Sequence, residues 1–306
     1  MSVGVGFSKT ILFGEHFVVY GYPGIALGIQ KKVKVEVEGW ECGVFFDDRV
    51  FGEKVSLADE PDYITYRILK PLFNRFNVGN VRLTISADAL PASGMGYSAS
   101  LAVACARALS AYVGECLSDS EINDLAFLCE KQAHGNPSGI DNSCATYGGV
   151  IWFMRGEGGN TLKPLRLGAP LHLVLGDTGV KGDTRAAVSD VAEYVGAHPA
   201  EAEGVFREFE GLVYAARDAL TAGDRCALGS LMNENHRLLR RLGVSSRRLE
   251  ELVKVAVDAG ALGAKITGGG LGGLMVCLVE DEVAQEAVAC ELKAAGYGAI
   301  KTRATN

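Results

Sequence analysis

The sequence predicts an α+β protein of two domains, and two observations predict it. Beyond residue 160, with extra helices set aside, strand and helix signals follow the order β-α-β-β-α-β, the split-βαβ plan of a ferredoxin-like domain. Ahead of that point, alternating strands give way to helices rich in small and apolar residues. The 306 residues are enough for two ordinary cores, so the reading is one domain at 1–160 and a second at 161–306.

The first ninety residues read as mostly strand. Lys32 to Glu38 and Val81 to Ala87 each alternate polar and apolar side chains, the mark of a half-buried strand. After the glycine-bearing stretch at 91–96 the pattern changes to small and apolar residues from Ser98 to Val113, a well-buried helix that Gly114 would stop. Ser118-Asp-Ser-Glu121 has the form of a capping box, and Ile122, Leu125, Leu128 and Cys129 then recur at helical spacing until Gly135. An apolar strand follows over Gly149–Met154, then a glycine-rich stretch at 156–160. The second domain reads as a strand at Leu171–Leu175, a helical region broken near His198 and Gly223, strands at Ala264–Thr267 and Gly273–Val279, a helix at Glu282–Ala295 and a last strand at Ala299–Thr302.

Composition removes several classes of function. The formal charge is -7 and the lysines and arginines are scattered singly, which leaves no basic footprint for nucleic acid. No stretch approaches the roughly 20 apolar residues of a membrane helix, and Lys9 interrupts the apolar run from Val3 to Phe13, so neither anchor nor signal peptide is expected. The eight cysteines never form Cys-x-x-Cys, against a zinc site or a redox pair, and read as buried thiols of a reducing compartment. A cytoplasmic protein is the expectation.

Chemistry is concentrated in three glycine-bearing segments. In Leu90-Pro-Ala-Ser-Gly-Met-Gly-Tyr-Ser-Ala-Ser100, glycines lead into a helix, so bare N–H groups and the positive end of the helix dipole point at one place, an arrangement suited to phosphates. No Gly-Lys-Ser/Thr follows, so it is not a Walker A loop, and a plain turn with a small-residue cap explains it equally well in isolation. In Glu130 to Asn142 one carboxylate stands late in a helix and another, Asp141, ends a Pro/Gly loop. Alone, Glu130 reads as a solvated helix residue and Asp141 as a helix cap; as a pair they offer metal ligation and base catalysis. The third segment, Lys265-Ile-Thr-Gly-Gly-Gly-Leu-Gly-Gly273, would let a ligand approach the backbone closely or form a bulged turn.

In this order the three segments resemble the signature motifs of the GHMP kinases, the superfamily named for galactokinase, homoserine kinase, mevalonate kinase and phosphomevalonate kinase. The resemblance spans nearly the whole chain. The opening, Ser8 to Ala26, carries a lysine followed by Gly14-Glu-His16, Val18-Val19 and Gly21-Tyr-Pro23, and is similar to the mevalonate kinase branch, as is the loop from His134 to Asn142. The resemblance implies an N-terminal domain like domain 2 of ribosomal protein S5 joined to a ferredoxin-like C-terminal domain. It also implies an ATP-dependent phosphotransferase acting on the primary hydroxyl of mevalonate, with ATP as co-substrate and Mg2+ as cofactor. Mevalonate and ATP are then the expected partners, without nucleic acid or membrane; a homodimer is compatible with this and the oligomeric state is not legible.

Carried over to this chain, the resemblance puts the ATP phosphates on Gly94, Met95, Gly96, Tyr97, Ser98, Ala99 and Ser100, and makes Ser98 and Glu130 the Mg2+ ligands. Asp141 becomes the catalytic carboxylate, with Lys9 beside it balancing its charge and the negative charge that develops. Glu15, His16, Thr184 and Gly269 fall at substrate-side positions, although Thr184 also reads as a helix N-cap. His134 equally suits a brace for its loop, and His172, His198 and His236 read as structural or solvated. Three positions depart from the pattern. Tyr97 stands where serine is common, and either narrows the nucleotide site or stacks on the base. Leu271 interrupts the third glycine run, and Gly182 replaces a basic residue seen near the substrate carboxylate in some mevalonate kinases. Rival readings are a GHMP kinase for phosphomevalonate, homoserine or a sugar, a non-catalytic sensor, and a related decarboxylase whose opening motif differs.

Overall fold

The computed structural model describes residues 1–88, 94–135, 137–156 and 160–306. Parts of the phosphate-loop stretch (89–93), of the Pro/Gly loop (136) and of the glycine-rich stretch near the expected boundary (157–159) lie outside the described residues. The elements in order are β1 (Ser2–Phe13), a 3-10 turn (Phe17–Tyr20), β2 (Gly24–Gly39), β3 (Val44–Asp48), β4 (Glu53–Ser56), α1 (Ile64–Phe76), β5 (Val81–Ala87), α2 (Tyr97–Val113), α3 (Asp119–His134), α4 (Ile140–Tyr147), β6 (Val150–Met154), β7 (Thr161–Leu165), β8 (Leu171–Asp177), α5 (Thr184–Ala197), α6 (Pro199–Ala222), α7 (Arg225–Arg241), α8 (Arg247–Asp258), β9 (Gly263–Thr267), β10 (Leu274–Val279), α9 (Glu282–Ala294) and β11 (Gly298–Ala304).

Two compact units result, and neither is a single stretch of chain. The first comprises Met1–Lys9 with Gln30–Gly148, the second Thr10–Ile29 with Gly149–Asn306. They differ from a single cut at residue 160 because residues 24–27 of β2 pair antiparallel with β6, which draws the Gly14-Glu-His16 segment and β6 into the second unit.

In the first unit, β5 lies between residues 33–39 of β2 (antiparallel) and β3 (parallel), and β4 pairs with β3. Val33, Val35 and Val37 of β2, Phe46 of β3 and Leu83 and Ile85 of β5 form one apolar face, which α1, α2 and α3 share as core. The expectation of mostly strand in the first ninety residues needs correcting for α1, where Leu69, Leu72, Phe73 and Phe76 bury a helical stripe despite Pro71 inside the helix. A proline there removes one backbone donor and disguises the pattern, but tertiary burial of four large side chains outweighs it. Helix α2 is buried almost all round by Ala99, Ala102, Ala104, Cys105, Ala106 and Ala108, whose small side chains admit neighbours on every face. Its last residue is Val113, and Gly114 caps it in the left-handed conformation, as the sequence predicts. The capping box at Ser118/Glu121 is present with both reciprocal hydrogen bonds.

The second unit holds a four-stranded antiparallel sheet in the order β11-β8-β10-β9. That is the strand order of the ferredoxin-like plan, with the helical crossovers from β8 to β9 and from β10 to β11. Leu173, Leu175, Val276 and Leu278 are fully buried in it, and Phe17 stacks on Phe209 of α6 with centroids 3.8 Å apart. All eight cysteines are free thiols, but the expectation that all are buried is corrected: Cys105, Cys129, Cys144 and Cys277 are buried, whereas Cys42, Cys116, Cys226 and Cys290 are exposed. Helix surfaces and loops tolerate a small thiol without a core to receive it. No helix among the described residues is long and apolar enough to cross a membrane.

Candidate active site

In the first unit, β1 delivers Lys9 to the start of α2. The Lys9 N–H donates to the Met95 carbonyl at 2.9 Å, and the Ser100 hydroxyl donates to the carbonyls of Phe7 (2.6 Å) and Gly96 (2.9 Å). These bonds fasten the glycine-bearing turn to the strand. Gly96 is the N-cap of α2, in the left-handed region at φ 69°, and no side chain caps the first turn. The leading amides of α2 therefore stay available for an anion, reinforced by the helix dipole. A Cβ on Gly96 would stand 3.0 Å from Lys9 Cγ and 3.8 Å from the Asp141 carboxyl carbon, so glycine is required both by φ and by the closeness of the two charged side chains.

Asp141 sits in the first turn of α4, which starts after Gly139; it is not the cap, because the cap residue is Gly139. Its Oδ1 lies 3.3 Å from Lys9 Nζ, with the lysine side chain nearly buried and the aspartate about one-third exposed at 36%. α4 is held to α3 by the Asn142 amide, which donates to Asn123 Oδ1 at 2.9 Å. That registers Asp141 against Glu130, the other carboxylate.

Glu130 is buried, at 2% exposure, and so is no solvated helix residue. Burial pushes its carboxyl above the usual range, a hydrogen bond from Ser98 opposes this, and the charge of Asp141 adds to it. Its Oε1 has no hydrogen-bond partner among the described residues. His134 Nε2 lies 3.4 Å from Ser98 Oγ and 3.8 Å from Glu130 Oε2, so the histidine borders this pair. A hydroxyl beside a buried carboxylate with an orphaned oxygen suits a hard cation that takes oxygen ligands. No group of three or more His, Cys, Asp or Glu among the described residues would hold a metal by itself.

The other phosphate-loop residues divide by side chain. Gly94 is exposed, whereas Met95, Ala99 and Ser100 are buried, and the Ser100 amide already donates to the Gly96 carbonyl at 3.0 Å. Tyr97 turns into the core of the unit: its ring meets Phe51 edge-on at 5.9 Å, its hydroxyl is buried without a partner among the described residues, and burial raises its pKa, with the charge of Asp48 adding. The ring itself is half-buried, and Phe51 beside it is exposed.

The residues expected on the substrate side cluster in the second unit. Glu15 accepts from Lys265 Nζ at 2.5 Å, and both side chains are essentially sealed from water. His16, at φ 65°, donates from Nε2 to the Gly269 carbonyl at 2.8 Å; a carbonyl can only accept, which assigns the proton to Nε2. Burial lowers the His16 pKa, the Gly269 bond opposes this and the Lys265 charge adds to it. Thr184 is exposed at the first turn of α5, and Asp183, not Thr184, is the cap, accepting from the amides of Arg185 and Ala186. A Cβ on Gly269 would meet Thr184 Oγ1 at 2.6 Å, so this glycine lets the turn approach α5. The departure at Gly182 has a steric cause, since a Cβ there would stand 2.7 Å from the Gly270 carbonyl oxygen. Leu271 occupies the left-handed region at φ 60°, with its amide donating to the Val244 carbonyl at 2.8 Å. The sequence reading gave Lys265 no role; the signal present was a lysine inside the otherwise uncharged strand Ala264–Thr267.

A helix start without a side-chain cap at Gly96, a lysine–aspartate pair and a serine–glutamate pair lie in one unit, an arrangement suited to a small-molecule kinase. The family model for the GHMP kinases N terminal domain matches residues 63–149, and that for the GHMP kinases C terminal matches 216–298. The chain belongs to the GHMP kinase family. It is 35% identical over 286 residues to the mevalonate kinase of Aeropyrum pernix, covering 89% of this chain and 87% of that one. Among solved structures, L. major mevalonate kinase in complex with R-mevalonate superposes with a TM-score of 0.90 at 34% identity, covering 100% of this chain and 96% of that one. Methanococcus jannaschii mevalonate kinase superposes at 0.86 with 25% identity, over 99% of this chain and 98% of its own.

Proposed function

We propose that this protein transfers the γ-phosphoryl group of ATP to the primary hydroxyl of mevalonate, giving 5-phosphomevalonate for isoprenoid precursor synthesis in the cytoplasm. The observation that carries the reaction type is the pairing of Lys9 and Asp141 at 3.3 Å against the bare start of α2 at Gly96. The choice of alcohol is supported by the identity to mevalonate kinases over nearly the full length.

Phosphoryl transfer requires little covalent help and depends on positioning and on neutralising charge. In this reading the amides leading into α2 hold the phosphates, and Ser98 Oγ and Glu130 would hold Mg2+, which would supply neutralisation of negative charge. Asp141 accepts the proton of the attacking hydroxyl, and Lys9 stabilises the negative charge that grows as the phosphoryl group moves. Glu15, His16, Thr184 and Gly269 form the substrate side. A sensor would have no use for a proton acceptor beside a phosphate-binding helix start, which disfavours the non-catalytic alternative.

The test is turnover of purified protein with ATP and Mg2+ against mevalonate, phosphomevalonate, homoserine and galactose. Mevalonate is expected to be phosphorylated; turnover of another alcohol with none of mevalonate would discard the substrate assignment. The metal role makes a separate prediction. Glu130→Gln removes the buried anion, so the Mg2+ concentration giving half the maximal rate is expected to rise by at least the ~10-fold that losing an outer partner of a metal ligand typically costs. An unchanged Mg2+ titration would remove Glu130 from the site.

A further inference from the structure

Successive side chains of a strand alternate between its faces, so those of Lys265 and Thr267 at the end of β9 can act on one neighbour, and the turn that follows adds the Gly269 carbonyl. All three hold the segment Thr10–His16. Lys265 donates to Glu15 Oε1 and to the Ile266 carbonyl, both at 2.5 Å. Thr267 Oγ1 accepts from the Ile11 amide at 3.1 Å, donates to the Ile11 carbonyl at 3.0 Å, and lies 3.0 Å from Thr10 Oγ1. The Gly269 carbonyl accepts from His16 at 2.8 Å. A plain strand pairing would need none of these side-chain contacts.

The lysine is unusual in its setting. Its side chain is 0% exposed and that of Glu15 1%, so two charges have been taken out of water to meet each other. Such a pair is a poor source of stability, because desolvation offsets most of the attraction and well-packed apolar residues would serve as well. Its retention calls for a different role, and orientation is the one the contacts describe. The remaining charged groups around it are His16, His236 of α7, and behind His236 the carboxylate of Glu250, which also meets Arg240. Burial drives the His236 pKa down to about 4, leaving it neutral at physiological pH, so Glu15 is the counter-charge that Lys265 meets directly.

We propose that Lys265 is a positioning residue for the substrate side of the site: with Thr267 and Gly269 it clamps Thr10–His16, and its ammonium fixes the Glu15 carboxylate in the charge state and orientation that receive the alcohol. The inference rests on the substrate-side role of Glu15 and His16 given above. The Lys265 side chain is sealed from solvent, so it acts through Glu15 and through the glycine turn that also abuts Thr184.

Replacing the ammonium with an apolar chain of similar length, Lys265→Met, removes the cation that meets the buried Glu15 carboxylate. The Glu15 carboxyl then resists ionisation, and its pKa moves up. The KM for mevalonate is expected to rise ~10-fold or more at pH 7, an effect of one misplaced polar contact, while the KM for ATP stays within twofold. Because the ionised form of Glu15 is the binding form, the variant's KM falls as pH rises from 6 to 8, and the wild-type KM stays flat over that window. Hydrogen exchange, which needs no substrate, should be faster in Lys265→Met across residues 10–16 and 265–273 and unchanged in α2. Should the single variant fail to fold, Lys265→Met/Glu15→Gln removes both charges; it is expected to fold, to keep the raised KM and to lose the pH dependence. A folded variant of either kind with wild-type KM and wild-type exchange in these segments would overturn the proposal. If the wild type phosphorylates a different alcohol, the kinetic comparison is made with that alcohol, so an error in the substrate is distinguishable from an error about Lys265.

Discussion

Asp141→Asn is expected to lower kcat by about 10³-fold, within the range for losing a positioned proton acceptor, with the dissociation constant for ATP within twofold of wild type. Asparagine keeps the shape of the side chain at the start of α4 and leaves the amides of α2 untouched, so the nucleotide still binds. It cannot accept the hydroxyl proton. The variant also leaves Lys9 without the partner 3.3 Å away, but the aspartate is partly solvated and water can replace it there, so the fold is retained. Single-turnover phosphorylation together with ATP binding by calorimetry separates the two quantities. A kcat within tenfold of wild type would show that the proton leaves by another route.

Lys9→Met is expected to lower kcat by about 10²–10³-fold, the usual consequence of removing one preorganised charge from a transition state. Methionine fits the nearly buried position and preserves the N–H bond to the Met95 carbonyl, which comes from the backbone. The glycine-bearing turn therefore keeps its attachment to β1, and the loss reports the ammonium alone. Residues that act as a unit are strongly non-additive. The double variant Lys9→Met/Asp141→Asn should then be no more than about tenfold slower than Asp141→Asn. Full multiplication of the two losses would mean that lysine and aspartate serve independent steps, contrary to their contact.

How much of this was legible in advance differs from element to element. The capping box at Ser118/Glu121, the helix end at Gly114 and the strand at Val81–Ala87 are governed by neighbours in sequence, and each appears where local rules place it. The ferredoxin-like order followed from the succession of elements alone. Helix α1 was hidden by Pro71, whose local cost is offset only by burial of Leu69, Leu72, Phe73 and Phe76 against distant strands. The division into units was also illegible, because residues 24–27 join the second unit through pairing with a strand more than a hundred residues away.

The candidate site shows the same split. Residue types and spacing marked three glycine-bearing segments as candidates for the chemistry, because glycines leading into a helix and two carboxylates around a Pro/Gly loop are local patterns, and the resemblance to the GHMP kinases gave their residues roles. Only the tertiary structure decided the partners: that Glu130 is buried beside Ser98, that Asp141 meets Lys9, that Tyr97 turns inward, and that Lys265 is spent on Glu15. The physical reason is that charge state and orientation depend on desolvation and on contacts within a few ångströms, and those contacts join residues up to 250 positions apart, a distance over which sequence carries no geometric signal.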